Sequence, residues 1–280
     1  MPVFSETPSG SQVILFAVHP LHNPIRLHEV YHPIMDVLNA HAKERGVDVV
    51  FRLESSRSYA EFEKKLKAGS FEFALPNPYQ ALMALDYGYE VFGKMGEDEK
   101  FRGILLVRKD RQIMTPQALR GEKISFPAPT ALAATMLPMH FLASNGLFPN
   151  VDYEPVFAGS QESSIMQVYL GHTMAGATWP PPWELFKQNE PEKASQLEVK
   201  WETKPLINNA LIVREDVPEA IREIMREVFF TLHQKPNGKA LLAPIAISYF
   251  EPATNATYTK VREFLEEYKR LGLAPSTNTP

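Results

Sequence analysis

The sequence predicts an α/β fold of two lobes, each a mostly parallel sheet flanked by helices, with two hinge strands joining them. Three observations predict it. Apolar runs of strand length alternate with segments of helical period from Val13 onward. The connections between them are short, as in parallel sheets covered on both faces. Two similar apolar strings, Ile104 to Asp110 (ILLVRKD) and Ala210 to Asp216 (ALIVRED), bracket a self-contained α/β segment, which reads as one lobe inserted into the other.

Each element has a local reason. Val13 to Val18 is a continuous apolar run, hence a buried strand; the loop of His19, Pro20, His22, Asn23 and Pro24 follows. Leu27, Val30, Tyr31, Ile34 and Leu38 then recur at helical spacing. Val47 to Leu53 is a second strand, Ser55 to Ser58 a polar loop, Tyr59 to Ala68 a charged helix and Phe71 to Leu75 a third strand. A Pro-Asn-Pro-Tyr turn, 76 to 79, opens the next helix near Gln80. Between the echoed strings come strand Lys123 to Phe126, helix Leu132 to Asn145, strand Asp152 to Phe157, helix Ser163 to Leu170 and strand Thr173 to Thr178. Helices at Glu219 to His233 and Tyr258 to Leu271 close the chain. The lobes divide as 11–105 plus 213–275, and 106–212, with flexible ends at 1–10 and 275–280. Two crossovers of this kind form a hinge suited to closing on a ligand.

Bulk properties exclude several functions. The 280 residues carry 29 Lys and Arg against 33 Asp and Glu, a net charge of -4 without a basic block, so no nucleic-acid partner is expected. With no cysteine, disulfides, thiol nucleophiles and cysteine zinc sites are excluded. The early apolar run is too short to span a bilayer, and Met1 reads as a start residue on a chain whose signal peptide has been removed.

The one string that looks catalytic is His28-Glu29-Val30-Tyr31-His32, a formal match to the zinc motif in which two histidines one helical turn apart hold the metal. Pro33 follows at once and is expected to interrupt a regular helix through both histidines. They also fall on the polar flank of the apolar stripe, which makes them surface residues, and a zinc metalloenzyme is the least favoured reading. No nucleophile elbow, phosphate-cradling glycine loop or paired carboxylates appear. An enzyme is therefore not expected, and no catalytic residue, metal or cofactor is assigned.

The unusual residues lie in loops that follow strands: Pro76-Asn77-Pro78-Tyr79, Pro127-Ala128-Pro129-Thr130, Ala158-Gly159-Ser160-Gln161 and Trp179-Pro180-Pro181-Pro182-Trp183. In open α/β sheets the ligand crevice is built at these strand ends. Rigid prolines preorganise the loops, and Tyr and Trp offer broad contact surface.

In the order of its landmarks the chain resembles the periplasmic binding proteins of phosphate, phosphite and phosphonate ABC transporters, from about Val13 to Leu271. These landmarks are Tyr31-His32-Pro33-Ile34-Met35-Asp36-Val37-Leu38, Ser58-Tyr59, Asn77-Pro78-Tyr79, Leu119 to Phe126, Phe157-Ala158-Gly159-Ser160 and Pro205-Leu206-Ile207-Asn208-Asn209. The resemblance implies the type II two-lobed fold, a periplasmic location, and docking of a monomer to a membrane transporter or sensor component. It places ligand contacts at His19, Tyr59, Asn77, Tyr79 and Thr130, and at Leu132, Ala133, Gln161, Trp179 and Asn208. Where relatives carry a hydroxyl-rich run opening a helix, this chain has Ala131-Leu132-Ala133-Ala134. Gln161 replaces the family's histidine, and Trp179 its acidic residue. With Met136, Met139 and Trp183 nearby, these replacements predict a cleft for an apolar or amphipathic ligand, a lipid such as a sterol or hopanoid, handed on to a membrane transport system. The alternative is an oxyanion such as phosphate, phosphite or phosphonate, taken up by an ABC transporter or presented to a sensor kinase. It would be held by the helix-terminal amides of Leu132 and Ala133 with Tyr59, Tyr79, Thr130 and Gln161.

Overall fold

Continuous apolar character puts the first strand in the middle of a sheet. In the computed structural model, which describes residues 10–273, β1 (Gln12–Val18) lies between two parallel neighbours. The expected flexible ends lie outside the described residues except for Gly10. The next element, α1 (Pro24–Glu44), starts where Asn23 accepts a hydrogen bond from the Arg26 amide and Pro24 occupies the first turn. The helix continues through Pro33, contrary to the expected interruption. Burial of Leu27, Val30, Tyr31, Ile34, Met35 and Leu38 along one face outweighs the hydrogen bond that the proline removes. The His28 and His32 rings consequently lie 4.4 Å apart, tilted by 35°, on the exposed side. Among the described residues, no three His, Cys, Asp or Glu side chains converge on a metal position.

The chain then alternates as its pattern predicts, through β2 (Val49–Glu54), α2 (Tyr59–Lys67), β3 (Phe73–Leu75) and α3 (Pro78–Ala84), and β4 (Tyr89–Met95) follows as a strand the sequence reading does not assign. It crosses over along residues 96–103 and builds the second lobe: β5 (Ile104–Arg108), β6 (Lys123–Phe126), a π-helical turn at Leu132–Met136 leading into α4 (Leu137–Ser144), and β7 (Glu154–Phe157). There follow α5 (Gln161–Tyr169), β8 (Ala175–Thr178), α6 (Pro180–Asn189), α7 (Pro191–Ala194) and β9 (Leu197–Glu202). Residues 203–209 cross back to β10 (Ala210–Arg214), α8 (Glu219–Thr231), α9 (Gly238–Leu242), β11 (Phe250–Pro252) and α10 (Thr259–Arg270).

Six strands form one sheet in the order β11-β4-β10-β3-β1-β2, and five form the other, β7-β6-β8-β5-β9. Only β1 with β2 and β3, and β6 with β7 and β8, pair in parallel; the remaining pairs are antiparallel. Most strands of each sheet still run in one sense; the exceptions are β5, β10 and β11, and the first two have a topological cause. A strand entered from the other lobe arrives running against its new neighbours, as β5 and β10 do.

Sheet membership changes at the crossovers themselves, just before the two echoed strings. The crossovers are bonded to each other: Thr203 N donates to Gly103 O and Leu206 N to Phe101 O, both at 2.9 Å. Gly103 has no room for a side chain, because a Cβ there would sit 2.5 Å from the Ala133 carbonyl. Asn208 is fully buried and is the tie of the hinge. Its Nδ2 donates to Gly96 O at 2.8 Å, its Oδ1 accepts from Asn209 N at 2.8 Å, and its carbonyl accepts from Tyr258 Oη. Asn208→Ala strands a buried carbonyl and a buried amide, so it is expected to cost about 2–4 kcal/mol. A calorimetric scan should show the melting temperature lowered by several degrees.

Candidate functional site

The two lobes meet at a cavity walled by the ends of strands from both sheets. Lobe 1 contributes His19 after β1, Tyr59 opening α2 and Asn77 after β3; lobe 2 contributes residues 131–134 after β6, Gln161 after β7 and Trp179 after β8. Phe101 and Asn209 enter from the crossovers. The cavity measures about 10 Å³, close to what a single water needs. None of its lining side chains is formally charged at neutral pH.

Its floor is backbone. Thr135 N and Met136 N both bond to Ala131 O, at 2.7 and 3.2 Å, so the amides of Leu132, Ala133 and Ala134 precede the first helical bonds. Aligned peptide dipoles give this end of the helical run a positive partial charge. The widened turn ends at Leu137, whose N–H bonds five residues back to Leu132 O, just before Pro138, which has no amide hydrogen to give.

Neutral dipoles line the walls. His19 Nδ1 lies 2.9 Å from Leu75 O and, facing a carbonyl, carries the proton, which leaves the lone pair on Nε2. Burial pushes its pKa down to about 4, so the ring is neutral at physiological pH. Burial raises the Tyr59 phenol, which stays protonated. Its oxygen accepts from Gln161 Nε2 at 3.5 Å, leaving the phenolic hydrogen free to donate. Gln161 is aimed by Thr178, whose hydroxyl donates to Oε1 at 2.9 Å. Asn77 caps α3 through a reciprocal pair with Gln80, and its Nδ2 donates across the cleft to Thr130 O at 2.9 Å. Asn209 Oδ1 is buried with no hydrogen-bond partner.

Of the sequence-predicted contacts, the structure gathers His19, Tyr59, Asn77, Leu132, Ala133, Gln161 and Trp179 around the cavity. The other three lie off it. Thr130 donates its hydroxyl to Glu63 at 2.5 Å, Tyr79 sits in the first turn of α3, and Asn208 ties the hinge. Sequence reasoning missed Phe101 and Asn209, and it read Ala131 and Ala134 as part of the altered cleft run without naming them as contacts. Asn209 had a signal, being the neighbour of a named asparagine, but which of the two faces the cleft depends on the path of the crossover.

Residues 16–258 match the family model for the periplasmic substrate-binding protein of phosphonate ABC transporters. A probable ABC transporter phosphite-binding protein of Prochlorococcus marinus (strain MIT 9301) is 22% identical over 181 residues, or 59% of this chain. The match spans 60% of that relative's length. A binding protein component of a Pseudomonas aeruginosa ABC phosphonate transporter superposes with a TM-score of 0.83 at 18% identity, over 96% of this chain and 91% of that one. A Prochlorococcus marinus protein in complex with methylphosphonate gives 0.81 at 18% identity, over 92% and 99%. These are two-lobed binding proteins, and the type II fold is the fold of this chain.

The expectation of a lipid ligand is overturned. The family model and the similar proteins concern phosphonate and phosphite. Of the apolar residues that suggested a greasy cleft, Trp183 and Met139 serve the packing, and Trp179 packs on Phe101 at the cavity wall. Trp183 stacks on Phe186, Met139 Sδ lies 3.4 Å from the Tyr268 hydroxyl, and Trp179 meets Phe101 edge to face at 5.6 Å.

Proposed function

This chain belongs to the periplasmic substrate-binding proteins of phosphonate ABC transporters, and from that membership we propose that it captures a small phosphorus oxyanion, a phosphite or phosphonate, between its lobes for delivery to a membrane permease. The observation that carries this reading is the set of three leading amides, Leu132, Ala133 and Ala134, on residues that line the interlobe cavity. Amides at a helix start attract an anion through the backbone, so the loss of side-chain hydroxyls does not remove the site. Tyr59 supplies a further donor. His19 Nε2 offers an acceptor, which suits an oxyanion that retains one hydroxyl. Rotation of the Asn209 amide would turn its N–H groups into the cavity. Neutral donors spread the ligand's charge without burying a counter-ion, whose desolvation would offset much of the attraction.

The reading is one of binding rather than catalysis. His19 and Tyr59 are the titratable groups of the lining, and burial holds both neutral. Calorimetric titration with phosphite, methylphosphonate, phosphate and sulfate tests the proposal. At least one phosphorus oxyanion is expected to bind with micromolar or tighter affinity and, at a hundredfold excess over Kd, to add about 2.7 kcal/mol of stability. Absence of heat and of thermal shift with all of them, or binding of a sterol in their place, would refute it.

A further inference from the structure

The lobes touch each other directly, at the cavity through Gln161 and Tyr59 and beside it through Thr130 and Glu63. Glu63 of α2 accepts from the Thr130 hydroxyl at 2.5 Å across the cleft, and Asn77 Nδ2 of lobe 1 donates to the carbonyl of the same Thr130. The lobe 1 half is preassembled. Gln80, which is fully buried, donates from Nε2 to the same Glu63 oxygen at 3.1 Å while its backbone amide and Oε1 complete the cap with Asn77. One threonine thus plugs into a carboxylate and an amide held ready for it, and neither Glu63 nor Thr130 lines the cavity.

We propose that Glu63, Asn77 and Thr130 form a latch that holds the lobes closed without ligand and so sets the size of oxyanion the protein accepts. The size limit rests on the oxyanion reading above; the latch itself does not. With the latch made, the cavity is about 10 Å³, and Phe101 and Trp179 are packed against each other on its wall. The smallest members of the class, phosphite and methylphosphonate, replace the space of a water with side-chain adjustment. A longer substituent needs more displacement of the walls than these do. A groove of about 410 Å³ shares Gln161 with the cavity, and the bond from Thr178 fixes that side chain. A bulky phosphonate must therefore part the lobes and forfeit the Thr130 contacts, so the latch discriminates by opposing larger ligands. A hydroxyl-to-carboxylate bond of this kind biases the closed state by a factor on the order of ten to a hundred.

The absence of cysteine makes the test direct, because nitroxides placed through Ala40→Cys on lobe 1 and Gln188→Cys on lobe 2, both exposed, report alone. Pulsed electron-electron distance measurement without ligand is expected to give one narrow, closed-lobe distribution, and Thr130→Val to broaden it toward longer distances. A ligand-free native protein that is mainly open, or a Thr130→Val distribution identical to the native one, would overturn the latch. In parallel, the Kd of propylphosphonate relative to methylphosphonate is measured in both proteins. The ratio is expected to fall about tenfold in Thr130→Val, through tighter binding of the larger ligand, a direction that simple destabilisation would not produce. An equal ratio in both proteins overturns the size limit. A closed ligand-free state in a protein that binds no phosphorus oxyanion would overturn the oxyanion reading, and with it the size limit, while the distances uphold the latch.

Discussion

Ala133→Asp is expected to abolish oxyanion binding, with a loss of about a thousandfold or more in Kd for methylphosphonate or phosphite by calorimetry. Ala133 lines the cavity at the head of the helical run, and its amide is one of the three that precede the helical bonds. An aspartate there places a carboxylate within about 4 Å of a bound anion, where like charges repel by ~4 kcal/mol at an effective dielectric constant near 20. That alone is about three orders of magnitude. The carboxylate would also take the helix-terminal amides for itself, since it is the kind of anion they favour. Folding should survive, because the new charge sits where the dipole welcomes it, and circular dichroism checks this. Ala133→Ser is the informative partner. It returns a hydroxyl donor to the same place without charge, and a gain of up to about tenfold is expected. A site built on other residues would leave both variants near the native affinity.

Acid is expected to destabilise the protein between about pH 6.5 and pH 4, before general carboxylate protonation takes over. His19 has an ordinary value of 6.5 in the unfolded chain and about 4 in the folded protein, because burial penalises the imidazolium. Below pH 6.5 the unfolded state therefore binds a proton that the folded state refuses, and unfolding becomes easier as pH falls; the effect levels off near pH 4, where the folded ring also protonates. The lost stability is on the order of 3 kcal/mol for His19. His22 is lowered to about 4 as well, by burial and then by the nearby charge of Arg26, and being partly exposed it contributes less. Chemical denaturation from pH 7 to pH 4 measures the slope. His19→Gln keeps a donor for the Leu75 carbonyl and removes the titration, so the His19 share of the slope should disappear; an unchanged slope would show that His19 is not its source.

Much of the fold was legible in the sequence because its signals are local. Caps at Asn23, Ser58, Asn77 and Ser160 start helices where the polar loops predict them, and the apolar runs of β1, β5 and β10 lie inside sheets. Pro33 misled for a complementary reason: a local rule about proline was outweighed by the buried face of α1, which is a tertiary quantity. Strand direction was partly hidden too, since β5 and β10 take their sense from the lobe they come from.

The site was legible as a set of strand-end loops, and its chemistry was not. Reading Ala131 to Ala134 as a greasy patch follows from side-chain type, yet the groups that matter there are amides, which every residue but proline carries. Thr130 was named for its hydroxyl and spends it on Glu63 in the other lobe. Asn208 and Asn209 are indistinguishable by composition, and the crossover turns one into the hinge and the other into the cavity wall. The sequence by itself determined the two-lobed α/β architecture, because periodicity and capping act over a few residues and need no knowledge of distant partners. Only the tertiary structure decided the size and polarity of the cleft. Those depend on how closely two lobes approach and which backbone groups are left unpaired between them, and both are properties of chain segments far apart in sequence.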